Sequence, residues 1–222
     1  HMTVHFETLH RSTLYTDVFG VPVPDAPVGR ELWPRQPGVF VRRVQGEAEV
    51  AELVLERVVG QFGLVPRWVK SASDAKLRSP KLVNARSETV MTSNNLREAW
   101  LAGQRCIVPM QAFFEDDWRS GKAVPTRIAR VDGQPLGVAG LWERWVGGDG
   151  GEIISFTLLT VNANSHALMH RYQQPGAEKR MPAVLNEGGY SAWLKAGHPE
   201  KAREFLRAYP ANWLTANPGD KK

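Results

Sequence analysis

Cysteine is almost missing from this chain. Its 222 residues include one, Cys106, which excludes an internal disulfide framework and any CxxC metal site. The apolar neighbours of Cys106 predict a buried strand thiol rather than a reactive one. No apolar run approaches the roughly 18 residues that a membrane span requires, and the N-terminus lacks the long apolar stretch of a signal peptide. The sequence has no low-complexity tract and no internal repeat. His166 and His170 are spaced as zinc ligands on a helix can be, but no glutamate intervenes in the HExxH manner and no nearby cysteine or third histidine completes a site. These absences lead to the expectation of a cytoplasmic protein with no membrane association, no metal and no cofactor; a monomer is expected alongside, without a sequence signal for it.

What is present suffices for one substantial core. Hydrophobic residues make up 42% of the chain and charged residues 23%, a balance that argues for a folded domain. The formal charge of +5 and a pI near 9.5 permit a polyanionic partner. Lys70, Lys76, Arg78, Lys81 and Arg86 fall in a stretch where Phe62 and Trp68 offer aromatic faces. Cations for phosphates beside rings for bases are what single-stranded nucleic acid binding needs. The alternative is a solvated loop beside core aromatics. His1-Met2 reads as an expression scar, so His1 receives no functional role.

Runs of neighbouring strands with peripheral helices predict an α+β fold rather than alternating βαβ units. A helix is expected within residues 7 to 19, ending at Gly20, and another from Asn94 to Gly103 with Leu96, Trp100 and Leu101 on one face. The proline-rich segment from Val21 to Gly38 should run extended over the surface. Strand-like runs occupy Val39-Val44, Ala51-Val59, Arg105-Pro109, Thr126-Val131, Leu136-Trp145 and Ile153-Val161. Asp132-Gly133 is a hairpin signal, and Gly147 to Gly151 a second turn. Ser165 to Tyr172 can form a short helix, Met181-Leu185 a last inner strand, and Gly189-Ala196 and Pro199-Ala208 two final helices. One domain is expected over residues 2–216, with 217–222 a polar tail.

Three separated segments carry chemistry: Asn84-Ala85-Arg86-Ser87-Glu88-Thr89; Arg105-Cys106-Ile107-Val108-Pro109 leading to Phe113-Phe114-Glu115; and Thr160-Val161-Asn162-Ala163-Asn164 leading to Lys179-Arg180-Met181-Pro182. In this order, and with Gly140-Leu141-Trp142-Glu143, they resemble the SOS response-associated peptidase (SRAP) family. Phe62-Gly63-Leu64-Val65-Pro66 with Trp68, and the Pro175-Gly176 segment before Glu178-Lys179-Arg180-Met181, are similar to its proteobacterial branch. The resemblance implies an SRAP-like fold with a mostly antiparallel, barrel-like sheet core and peripheral helices, single-stranded DNA as partner, and a role at abasic sites in the DNA damage (SOS) response.

It also implies a chemistry whose key groups are changed. Family members trap the ring-opened abasic sugar with an N-terminal cysteine, whose amine and thiol close a thiazolidine that crosslinks protein to DNA. Thr3 stands at the cysteine position. A thiol supplies thiolate near neutral pH and a hydroxyl does not. Gln173 stands at the position of the family histidine and cannot shuttle a proton; His170, three residues earlier, is a candidate substitute. By the same resemblance Asn84 positions the N-terminal residue and the opened sugar, Glu115 transfers protons, Arg86 contacts phosphate and Thr160 lines the site. Taken singly, Asn84 can cap a turn, Arg86 can pair with Glu88, and Glu115 can be one of three exposed acids with Asp116 and Asp117. The expected catalytic set is therefore Thr3, Asn84, Glu115, His170 and Gln173, and the expected DNA-binding set is Phe62, Trp68, Arg86 and Thr160. The expected function is abasic-site and single-stranded DNA binding with the crosslink lost. An altered lyase or peptidase, or a protein-interaction module, is the alternative.

Overall fold

A computed structural model of the chain describes residues 3, 5–25, 28–44 and 53–218. The strands in chain order are β1 (Phe6–Glu7), β2 (Glu31–Leu32), β3 (Pro37–Arg43), β4 (Leu55–Phe62), β5 (Asn84–Arg86), β6 (Arg105–Met110), β7 (Ala112–Asp117), β8 (Val124–Arg130), β9 (Leu136–Val146), β10 (Glu152–Asn162), β11 (Arg180–Pro182), β12 (Val184–Leu185) and β13 (Leu214–Pro218). Short helices α1 (Thr13–Asp17), α2 (Ala72–Arg78), α3 (Arg97–Leu101), α4 (Tyr190–Lys195) and α5 (Pro199–Arg203) lie between them. The class is α+β, as expected.

Strands β3, β4, β10, β9 and β6 form a closed ring. Four of its five contacts are antiparallel, and the ring closes through a short parallel contact in which Ser155 and Phe156 lie beside Gln61 and Phe62. Closure removes the sheet edges that would otherwise expose unpaired backbone groups. Phe40, Phe62 and Phe156 fill the interior, with Phe156 at 5.5 Å from each of the other two ring centroids. A second antiparallel sheet runs in the order β13-β8-β7-β1-β2. Phe6 of β1 meets Phe62 edge-on at 5.1 Å and joins the two sheets through their cores.

One gap in the barrel positions the site. Strands β9 and β10 pair as far as Gly140 and Leu158, then diverge. A Cβ on Gly140 would lie 2.6 Å from the Thr157 oxygen and 3.0 Å from Cys106 Sγ, so only glycine permits this approach. Beyond it β11 pairs with β10 and β12 with β9, and Ala183 bridges both: its N–H donates to Leu159 O at 2.8 Å, and its carbonyl accepts from Ala139 N at 2.9 Å. The backbone groups exposed by the divergence are thereby satisfied.

Several local expectations change. Asp132-Gly133 forms a turn but no hairpin, because β8 belongs to the second sheet and β9 to the barrel. The 7–19 helix shortens to α1, with β1 before it. The Asn94–Gly103 helix shortens to α3, leaving Leu101 half exposed. The extended 21–38 segment contains β2, whose Leu32 is fully buried. Asn217 and Pro218, expected in the tail, pair with Arg127 and Thr126, while 219–222 lie outside the described residues.

Cys106 is fully buried on β6, and Trp193 Nε1 donates to its carbonyl at 2.8 Å. Burial pushes its thiol far above the ordinary cysteine range. Folded protein at about pH 8 should therefore resist a thiol-labelling reagent and react fully only in denaturant. Rapid labelling without denaturant would contradict the burial.

Candidate functional site

The site lies where the far end of β10 meets the second sheet. Asn84 opens β5, which runs parallel to β10 and pairs Leu158 with Asn84 and Thr160 with Arg86. Its buried side-chain amide holds Thr3 at two points: Thr3 N donates to Asn84 Oδ1 at 3.0 Å, and Asn84 Nδ2 donates to Thr3 O at 2.8 Å. Both polar ends of the amide are thus used, and the backbone of Thr3 is fixed in position and direction. The Thr3 hydroxyl donates to Glu115 Oε1 from β7. Thr3 therefore links the barrel to the second sheet.

Gln173 completes the cluster. Its Nε2 donates to Glu115 Oε2 at 3.2 Å and to Arg180 O at 2.7 Å, while Arg180 N donates to its Oε1 at 2.9 Å. The two backbone bonds to Arg180 fix which end of the amide faces the carboxyl. Gln173 N donates to Asp116 O at 2.7 Å, and its φ of +69° is one of two positive values among the described non-glycine residues. A strained backbone of this kind costs on the order of 1–3 kcal/mol and persists only where its surroundings enforce it.

Glu115 is buried, which corrects the alternative of an exposed acid beside Asp116 and Asp117. Burial pushes its carboxyl up to about 7, against the hydrogen bonds from Thr3 and Gln173 that favour the charged form, while Asp116 adds to the upward push. A carboxyl in that range can give or take a proton near neutral pH.

Beside this cluster lies a charged network anchored on Arg180, which is buried. Its guanidinium donates to Thr160 O at 2.9 Å and Thr160 Oγ1 at 3.1 Å, to Glu88 Oε2 at 2.8 Å and to Glu178 Oε1 at 2.9 Å. Arg86 is half exposed and donates to Glu178 Oε2 at 2.8 Å; Glu88 is farther from it, at 4.0 Å. Glu178 is held down at about 2 by hydrogen bonds from Arg86, Asn162 and Arg180. The Glu178-Lys179-Arg180 run carried the signal for this network, but sequence alone did not give these residues a role.

Three expected residues do not join the cluster. Phe62 is fully buried between Phe6 and Phe156 and has no face for a base. His170 is exposed, and its Nδ1 is 2.7 Å from His166 O, so its partner is its own turn rather than Glu115. The turn is 3-10 over Met169–Arg171, not the longer helix expected, which alters the face His170 projects from. His166 Nδ1 accepts from Leu168 N and Met169 N, which leaves Nε2 to donate to Tyr209 O at 2.6 Å. Trp68 is exposed, with Arg78 over its ring at 4.8 Å and Nε1 donating to Asn94 O.

A family model described as "SOS response associated peptidase (SRAP)" matches residues 21–222. Abasic site processing protein YoqW of Bacillus subtilis (strain 168) is 30% identical over 159 residues, covering 70% of this chain and 66% of that protein. Abasic site processing protein HMCES of Gallus gallus is 27% identical over 197 residues, covering 80% of this chain and 56% of that one. This chain thus spans between about half and two thirds of these relatives' lengths. A solved structure from Bordetella bronchiseptica is 38% identical with a TM-score of 0.87, covering 98% of this chain and 100% of that one. Another from Bacteroides thetaiotaomicron, 21% identical with a TM-score of 0.80 over 97% of this chain and 91% of that one, shares the fold.

The raised Glu115 value has a consequence for stability. Between its ordinary 4.5 and about 7, the folded protein keeps a proton that the unfolded chain releases. Stability should therefore fall as pH rises through that window, by up to about 1.4 kcal/mol per pH unit, and level off above it. Urea denaturation across this range should show the slope in the wild type and its loss in Glu115→Gln. An unchanged difference between the two proteins at every pH would contradict a shifted Glu115.

Proposed function

The chain belongs to the SOS response associated peptidase family, and from that premise we propose that it binds single-stranded DNA and recognises abasic sites without forming a stable crosslink. The observation that carries this reading is Thr3, held by its backbone on Asn84 with its hydroxyl on Glu115. The positioning amide and the proton-transfer carboxyl are kept, while the group between them is a hydroxyl.

The proposed roles follow from that geometry. Asn84 orients residue 3 and an opened sugar beside it. Glu115, near 7, handles the proton of a hydrated or ring-opened aldehyde. Thr3 supplies neither a thiolate nor, while joined to Met2, a free amine, so neither the carbon–sulfur nor the carbon–nitrogen bond of a thiazolidine can form. Gln173 holds Glu115 by a donated N–H and has no titrating nitrogen with which to relay a proton. Arg86 would meet the backbone of the strand, with Trp68 an outlying contact, while Thr160, which is buried, anchors the Arg180 guanidinium instead of touching DNA. An altered hydrolytic or lyase activity is the second reading, favoured by a hydroxyl hydrogen-bonded to a carboxyl of raised pKa.

Glu178 adds a specific expectation, because it occupies the Arg86 guanidinium with a carboxylate. A phosphate must compete with it. Glu178→Gln should raise affinity for a single-stranded oligonucleotide and Arg86→Ala should lower it, both measured by fluorescence anisotropy at low salt. Equal affinities for all three proteins would remove Arg86 from the interface.

An abasic single-stranded oligonucleotide should bind in a salt-dependent way and leave no adduct that survives heating in denaturant. In protein whose chain starts at residue 3, Thr3→Cys should recover part of the adduct, and Thr3→Cys with Gln173→His more. A heat-stable adduct formed by the unaltered chain would show that another nucleophile acts; strand cleavage would favour the second reading.

A further inference from the structure

Next to Thr3 stands a stack of three rings that the cluster does not use. His5 lies between Trp33 and Phe114, with centroids 4.0 Å and 4.2 Å apart and planes within 5° and 6° of parallel. Phe114 precedes Glu115 on β7 and His5 is two residues after Thr3, so the stack is carried by the same two backbone segments as the cluster. Its outer member, Trp33, is 45% exposed although His5 covers one ring face, and its backbone N–H donates to Gln36 Oε1 at 2.9 Å. Burial pushes the His5 imidazole below its ordinary value against the opposing influence of Glu31 and Asp116.

Two residues beyond Trp33, Arg35 is exposed and has no ion pair among the described residues. Its φ of +73° is the other positive value among the described non-glycine residues, the first being that of Gln173. Its N–H donates to Phe62 O at 2.7 Å, which ties the strained turn to the barrel. Strain held in place at an exposed cation is a marker of a functional turn.

We propose that the Trp33–His5–Phe114 stack is the base-stacking platform of the site, with a nucleobase of a single strand extending it on Trp33 and Arg35 taking an adjacent phosphate. Ring spacings near 4 Å with parallel planes are the geometry in which a flat heteroaromatic base continues a stack. The platform replaces Phe62, which is buried. It accepts any base, since every base has a π-face, and so it confers binding without sequence preference. The inference rests on the single-stranded DNA reading above.

The test is anisotropy binding of two oligonucleotides of equal length, one with bases and one in which every position is a tetrahydrofuran abasic analogue. Trp33→Ala should weaken binding of the first by roughly 5- to 150-fold, the range of one lost stacked base, and leave the second unchanged. Trp33→Phe should restore most of the affinity, and Arg35→Gln should reduce the salt slope for both by about 0.7. A misfolded variant would lose both oligonucleotides together, and Trp33→Phe serves as the folded comparison. Equal losses on both with Trp33→Phe also weakened, or no loss on the base-bearing strand, would overturn the platform while leaving DNA binding in place. No binding by the wild type to either would overturn both.

Discussion

The site depends on one two-point contact, the Asn84 amide closed on the backbone of Thr3. It brings a residue at the start of the chain across to the barrel and places its hydroxyl against Glu115. Glu115 is buried, and each of its carboxyl oxygens has one protein donor, Thr3 for Oε1 and Gln173 for Oε2. A buried carboxyl without such partners would be costly, so the carboxyl depends on both neighbours. Gln173 is in turn oriented by the backbone of Arg180, and Arg180 by Thr160, Glu88 and Glu178. Positioning therefore passes through a connected set of hydrogen bonds from the strand gap at β9 and β10 to Thr3.

Such a set keeps its geometry when the chemistry at one point changes. Threonine satisfies the same backbone contacts to Asn84 that any residue would, and its hydroxyl can donate to a carboxyl. Glutamine satisfies its neighbours through an amide that donates to Glu115 and pairs with the Arg180 backbone, but it has no proton to pass on near neutral pH. The cluster as it stands sets a hydroxyl, not a thiol, against a buried carboxyl raised to about 7.

The long elements were legible because their patterns are long. The runs at Leu136-Trp145 and Ile153-Val161 fell within one or two residues of β9 and β10, and the turn between them was visible as Gly147 to Gly151. Strands β1, β2 and β5 have two or three residues, too few for any period, and one of them, β5, carries Asn84. The Asp132-Gly133 turn was real but joined strands of different sheets, because a turn signal reports local bending and not which strand accepts the hydrogen bonds. Asn84, Glu115 and Gln173 were found through family order; nothing local marks Glu115 as buried beside two acids. An aromatic beside cations reads the same in sequence whether it fills a core, as Phe62 does, or faces a strand. The Trp33–His5–Phe114 stack was invisible, since its rings come from three separated segments.

A crystal structure of this protein with a single-stranded oligonucleotide containing one abasic site tests the central claim most directly. The account predicts the strand over the Thr3, Asn84 and Glu115 cluster, with the lesion sugar beside Thr3 and no bond joining it to the protein. A strand bound on another face, or continuous density from the sugar into a side chain, would contradict it.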